Sequence, residues 1–154
     1  MTDIKRRAHV SQAANERYLD ALAGVAATQP LGELTKALCQ PTELNGKRVR
    51  ALQPWSAGDA ELLATVSRPE FALNGFRNRD LRAVLFPSAT TSVEEAHRQS
   101  AKITRQLRIL RAHGLIHKIP HTHRYQLTTD GRTILAGLHA ARRATAEQLA
   151  QLAA

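Results

Sequence analysis

RQSAKITRQLRILRAHGLIHKIPHTHRYQLTTDGR, residues 98–132, carries the pattern that decides the fold. Counted at 100° per residue and carried back to Val93, the positions Ala96, Ser100, Ile103, Leu107 and Leu110 share one stripe of a helix over about Val93–Ala112. Arg98, Ala101, Lys102, Arg105 and Arg108 fall on the opposite side. His113-Gly114 is a stop, with Gly at the left-handed position. Residues 115–120 then read as a strand, His121-Thr122-His123 as a turn and residues 124–128 as the return strand. Thr129 or Asp130 opens a last helix that continues to about Leu152.

Working back toward the N-terminus, Thr91 or Ser92 caps the 93–112 helix, with Glu94 or Glu95 as the capping-box partner. A helix over 79–86 points Leu81, Val84 and Leu85 inward; Asn78 is its expected cap, and Pro87 stops it. Residues 71–76 read as a short extended segment. Ser56 caps a helix to about Val66. Asn45-Gly46 marks a two-residue hairpin between strands near 42–44 and 47–52, because both residues tolerate positive φ. Residues 31–38 form a short helix led by Pro30, and residues 10–27 an amphipathic helix on Ala14, Leu19, Leu22, Val25 and Ala26.

A hydrophobic share of 43% suits a globular core. No apolar run approaches the roughly 20 residues of a membrane span, and the basic N-terminus is followed by no apolar stretch, so neither membrane nor signal peptide is expected. The lone Cys39 excludes an internal disulfide and a Cys-rich zinc site; it reads as a small buried residue in a cytoplasmic protein. The net charge of +9 is unevenly placed. Between Asn74 and Arg143, 13 Lys or Arg stand against 4 Asp or Glu, so this stretch holds the whole excess. That asymmetry fits a surface that meets nucleic acid, and fits equally a solvated basic surface without a partner.

The order helix, short strand, helix, helix, hairpin, helix from Ser56 onward resembles the winged helix-turn-helix of bacterial MarR- and ArsR-type regulators. The resemblance rests on LRILRAHGLIHK, which is similar to that family's entry into the wing, and on RYQLTTDGRTIL, similar to its exit. It covers about residues 56–143. The expected fold is therefore mainly α with small antiparallel β-hairpins. It comprises a winged domain over 56–154 with a long C-terminal helix and an N-terminal helical and hairpin extension over 1–55. The wording HVSQAANERYLDAL also looks like an internal stretch of longer bacterial proteins, which would make the chain a C-terminal piece.

The resemblance implies double-stranded DNA as partner and transcriptional regulation, on the nucleoid, as the role. The 93–112 helix would enter the major groove, about 12 Å wide, with its N-terminal half toward the bases. Arg98 and Arg105 are the strongest candidates, since Arg suits bidentate contact with guanine or phosphate. Gln99, Ser100 and Ala101 are shorter candidates, and Lys102 and Arg108 extend the face. Lys118, His121, His123 and Arg124 would place the wing on the minor groove or flanking backbone. Asn78 with Arg77, Arg79 and Arg82 would clamp a phosphate at a helix start.

His113, His117, His121 and His123 have spacings that suit a metal, but no Cys or acid lies among them, and they read as polar wing side chains. No catalytic set and no cofactor motif is found, so no enzyme is expected. The terminal helix stripe of Ile134, Leu138, Ala141, Leu149 and Leu152, interrupted at Thr145, suits a homodimer, or burial against the 10–27 helix. Two rival functions stand beside regulation. One is the nucleic-acid-binding part of a mobile-element or defence system. The other is a winged module for protein contact, which requires an apolar exposed face around Ile109.

Overall fold

A computed structural model describes residues 30–89 and 92–153. The expected 10–27 helix lies outside the described residues. The chain is mainly helical with two separate two-stranded antiparallel hairpins. In order come α1 (Leu31–Lys36), β1 (Thr42–Leu44), β2 (Lys47–Val49), α2 (Ala57–Val66), a 3₁₀ turn (Pro69–Phe71), α3 (Asn78–Leu85), α4 (Val93–Ala112), β3 (Ile116–Lys118), β4 (Tyr125–Leu127), α5 (Thr129–Arg143) and α6 (Ala146–Ala153).

Helix α4 has the expected bounds, and its stripe does the expected work. Ile103 and Leu110 are fully buried and Leu107 nearly so. Each such side chain contributes about 1.5–3 kcal/mol on leaving water. Leu62, Val66, Phe76, Leu81, Leu115 and Leu135 close the same core around them. Ser92 caps α4 by accepting from the Glu95 N–H at 3.1 Å. The helix ends at Gly114, whose φ of 71° is the left-handed conformation the stop requires.

The first hairpin turns through Asn45 and Gly46 at φ 52° and 73°, and pairs Thr42 with Val49 and Leu44 with Lys47. Its second strand ends at Val49, short of the expected 52, because the Arg50 side chain is drawn away to α2. Residues 30–55 are not a loose appendage. Leu38 and Leu52 are buried in the core shared with α2–α5, and the Leu52 N–H donates to the Leu38 carbonyl at 2.8 Å. Cys39, expected to be buried, is exposed, since it follows Leu38 in the turn where that leucine takes the inward place.

Asp59 clasps this segment to α2. Its carboxylate accepts from Arg50 Nη1 and Nη2 at 2.8 and 2.7 Å and from the Gln53 N–H at 2.9 Å. The Arg50 carbonyl in turn faces His113 Nε2 at 2.9 Å, and a carbonyl only accepts, so that ring nitrogen carries the proton. The Arg50 hydrogen bond holds the Asp59 carboxyl below the usual carboxylate range. On α5, His139 lies half-buried beside Ala57, Ala60 and Ala64 of α2; burial, then the charges of Arg143 and Arg142, holds its imidazole below the ordinary histidine range.

Two expectations about regular structure are corrected. Residues 71–76 are not an extended segment: Pro69 starts a 3₁₀ turn, the Ala72 N–H donates to Pro69 and the Gly75 N–H to Phe71, and only Phe76 is left to pair. The last helix is two helices. Thr129 opens α5, as expected, and Thr128 caps it through the Gly131 N–H at 2.9 Å. Ala144 then turns extended at ψ 135°, and Thr145 and Gln148 exchange side-chain-to-backbone bonds of 3.0 and 3.2 Å that start α6.

Replacing Asp59 by Ala strands the Gln53 N–H and frees Arg50. Urea unfolding at neutral pH is expected to show a loss of about 2 kcal/mol, the range of hydrogen bonds to a charged group. The carboxyl is depressed in the folded state, so its stabilisation is complete above the unfolded value near pH 4 and fades as pH falls through the folded one. The Ala variant should lack that acid limb; an unchanged limb would place the acid sensitivity elsewhere.

Candidate nucleic-acid interface

The site is built where the second hairpin meets the start of α3. The hairpin pairs Ile116 with Leu127 and Lys118 with Tyr125. Phe76 adds one rung to its outer edge: its N–H donates to the Tyr125 carbonyl at 2.9 Å, and its carbonyl accepts from the Tyr125 N–H at 2.8 Å. The two rings stack with centroids 6.3 Å apart. Gly75 makes this approach possible. It sits at φ 66°, and a Cβ there would run into the Tyr125 carbonyl. The hairpin thus stands beside α3 and α4.

With Phe76 held in the rung, Arg77 is still extended, at φ −112° and ψ 167°, and becomes the residue that caps α3. The Asp80 carboxylate accepts from its N–H at 2.7 Å. Asn78 is therefore the first helical residue and not the cap. Its side chain instead locks α3 to α4, donating to the Ser100 carbonyl and to Thr104 Oγ1, both at 3.0 Å, while Ser100 Oγ donates to its Oδ1 at 3.4 Å.

Across α4, Arg98, Ala101, Lys102, Arg105 and Arg108 are all exposed. Arg98 lies 3.9 Å from Glu95, and Lys102 leans over the Phe86 ring at 5.4 Å. Gln99 is corrected: it is buried on the flank of the stripe, 3.5 Å from Glu95 Oε1, and cannot reach a base. Ser100 is half-buried and engaged with Asn78, so it too leaves the set of base-edge candidates. Ile109 is not exposed; it packs against the core.

At the wing, Lys118, His121 and His123 are exposed. His121 takes a positive φ of 59° in the turn. Arg124 is half-buried, and its Nη1 donates to the Asn74 carbonyl at 3.2 Å, bracing the wing against the turn before Gly75. Among the described residues no group of three or more His, Cys, Asp or Glu is placed to hold a metal ion.

Three elements converge on one open cleft of about 450 Å³. The start of α3 supplies Arg77, Arg79 and Arg82, the middle of α4 Thr104, and the wing His123 and Tyr125. Thr104 and Tyr125 were not among the sequence candidates. Thr104 follows Ser100 by four residues, the helical signal that marks it as a neighbour on the same flank. Tyr125 was legible only as a strand residue. No protein-family model, curated protein or solved structure matches the chain.

Asn78→Ala removes three contacts across the α3–α4 pair while leaving the cap to Asp80. Chemical denaturation is expected to show a loss of about 1–3 kcal/mol, the cost of leaving the partners of a part-buried amide unpaired. Capping loss alone would instead be reproduced by Asp80→Ala and not by Asn78→Ala.

Proposed function

We propose that residues 56–143 form a winged helix-turn-helix that binds double-stranded DNA and regulates transcription. Helix α4 lies in the major groove and the β3–β4 wing on flanking backbone or minor groove. The observation that carries this reading is the convergence of α3, α4 and the wing on one cleft, to which α3 brings Arg77, Arg79 and Arg82, together with the exposure of Arg98, Lys102, Arg105 and Arg108 on α4 and of Lys118 on the wing. Long arginines on a helix with one buried face are what a groove reader needs: one face anchored, the other reaching outward.

The contact set in this reading is narrower than the sequence alone suggests. Arg98, Ala101, Lys102, Arg105 and Arg108 face the groove. Lys118, His121 and His123 face flanking DNA, with Arg124 held partly by Asn74. Arg77, Arg79 and Arg82 face backbone phosphate. Asn78, Gln99 and Ser100 act inside the protein. A protein-contact role for α4 finds less support. The exposed large apolar residues among the described ones are Trp55, Val93 and Leu149, of which only Val93, at its first position, lies on α4.

Such a protein would be held on the nucleoid. A homodimer through α5 and α6 belongs to the same reading, because paired modules match palindromic sites. Leu149, 49% exposed on α6, supplies an apolar contact for it. Sedimentation of the full chain should return twice the 16.9 kDa monomer mass; a monomer at all concentrations would remove the dimer from the reading.

The decisive titration compares wild type with Arg98→Ala/Arg105→Ala on duplex DNA at two salt concentrations. Wild-type affinity should fall steeply with salt, and the double variant should lose roughly 2–6 kcal/mol, at 1–3 per bidentate contact. Wild type failing to bind at low salt would end the DNA reading.

A further inference from the structure

We propose that His139 is a proton-operated latch that fastens the end of α5 to α2. Leu135, Ala136 and Leu138 of α5 are buried, but from His139 to Ala144 no side chain is. Residues 145–151, which lead into and form most of α6, are exposed. His139 is thus the first residue past the core, and it stands half-buried beside α2. The last turns of α5, and the α6 that continues from them, have little other burial to hold them in place.

The imidazole sits in an open cleft of about 430 Å³. Ala57, Ala60 and Ala64 of α2 give it an apolar floor that suits a neutral ring and penalises a charged one. Arg142 and Arg143 line the same cleft from three and four positions further along α5, one helical turn below the ring. Glu61 is the one charged residue that α2 brings to the cleft, and it is exposed; Asp59 is committed to Arg50. Helix α1 also packs on α5, but its Glu33 and Lys36 are exposed and line no part of the cleft. A proton on His139 therefore sets a third cation beside two guanidinium groups, with one carboxylate to answer them. The C-terminal dipole of α5 favours cations, yet Arg142 and Arg143 in its last turn already meet it. A charged ring is better solvated with the end of α5 lifted off α2 than docked on alanines.

Burial, with Arg143 and Arg142 behind it, lowers the proton affinity of the docked ring. The docked end is fully held above the free histidine value near pH 6.5, and it loosens as pH falls from there toward the lowered docked value. This window lies above the one in which Asp59 acts, so the two acid effects are separable.

The test uses the full chain. NMR follows the His139 ring proton through a pH titration. Amide hydrogen exchange, expressed as protection relative to the intrinsic rate, follows α5 and α6 at about pH 7.5 and about pH 5.5. The His139 midpoint is expected below that of the exposed His97. Protection over residues 139–144 should fall severalfold at the lower pH, with about tenfold as the limit that a free histidine value near 6.5 sets. Protection over residues 103–110 of α4 should hold. His139→Gln should make the end of α5 indifferent to pH. Arg142→Gln/Arg143→Gln leaves the ring and its floor in place; it should raise the midpoint and shrink the response, which keeps the latch testable should His139→Gln fail to fold. A His139 midpoint equal to that of His97, equal protection at both pH values, or a response that survives in His139→Gln overturns the latch.

Discussion

The burial of Ile103, Leu107 and Leu110 along one side of α4 is the constraint on which the rest of the architecture depends. Helices α3, strand β1 and strand β3 all pack directly on this helix. Turning α4 by even one residue's worth of rotation would carry guanidinium groups toward the core and leucines into water. Both changes are heavily unfavourable, because an unpaired buried charge costs far more than an apolar side chain returns. The rotational setting of α4 is therefore fixed by its inner face. The outward display of Arg98, Arg105 and Arg108 follows from that setting and needs no interaction of its own.

A second constraint places the wing. Phe76 is a single residue of β structure between a 3₁₀ turn and a helix, yet it ties the hairpin to α3 through two backbone bonds and a stacked ring. Because Phe76 is extended, Arg77 is extended too, and the helix starts one residue later than local capping preference suggests. That shift moves Asn78 from the cap into the first turn, where its amide faces α4 rather than its own backbone. One long-range rung thus decides the chemistry of the neighbouring side chains: Asn78 becomes an internal clamp, and Arg77 borders the cleft.

This explains which parts of the molecule were legible in the sequence. The bounds of α4, the Asn45-Gly46 hairpin, the Ser56 cap and the Gly114 stop depend on periodicity or on backbone preferences within a few residues, and the sequence expresses those directly. The exposed basic set on α4 was legible for the same reason. The role of Asn78 was not, because it depends on the rung that Phe76 forms with Tyr125, 49 positions along the chain. Gln99 lies beside the stripe, where angular position alone does not separate a buried flank from an exposed one. The break after Arg143 was readable: Thr145 and Gln148 form the spacing of a capping box, a start signal at the residue where the stripe of the expected single helix is interrupted.

The neutral N-terminal segment takes its meaning from where it is fastened. Asp59 binds Arg50 bidentately, and the Arg50 carbonyl meets His113 at the C-terminal end of α4. The segment is thus anchored at the end of α4 opposite to the half that would enter a groove. Leu38 and Leu52 seal the core beside it. The charge of Arg50 is matched by Asp59. Between Asn74 and Arg143, by contrast, 13 Lys or Arg stand against 4 Asp or Glu, so the net positive charge belongs to the part of the chain that carries α3, α4, the wing and α5.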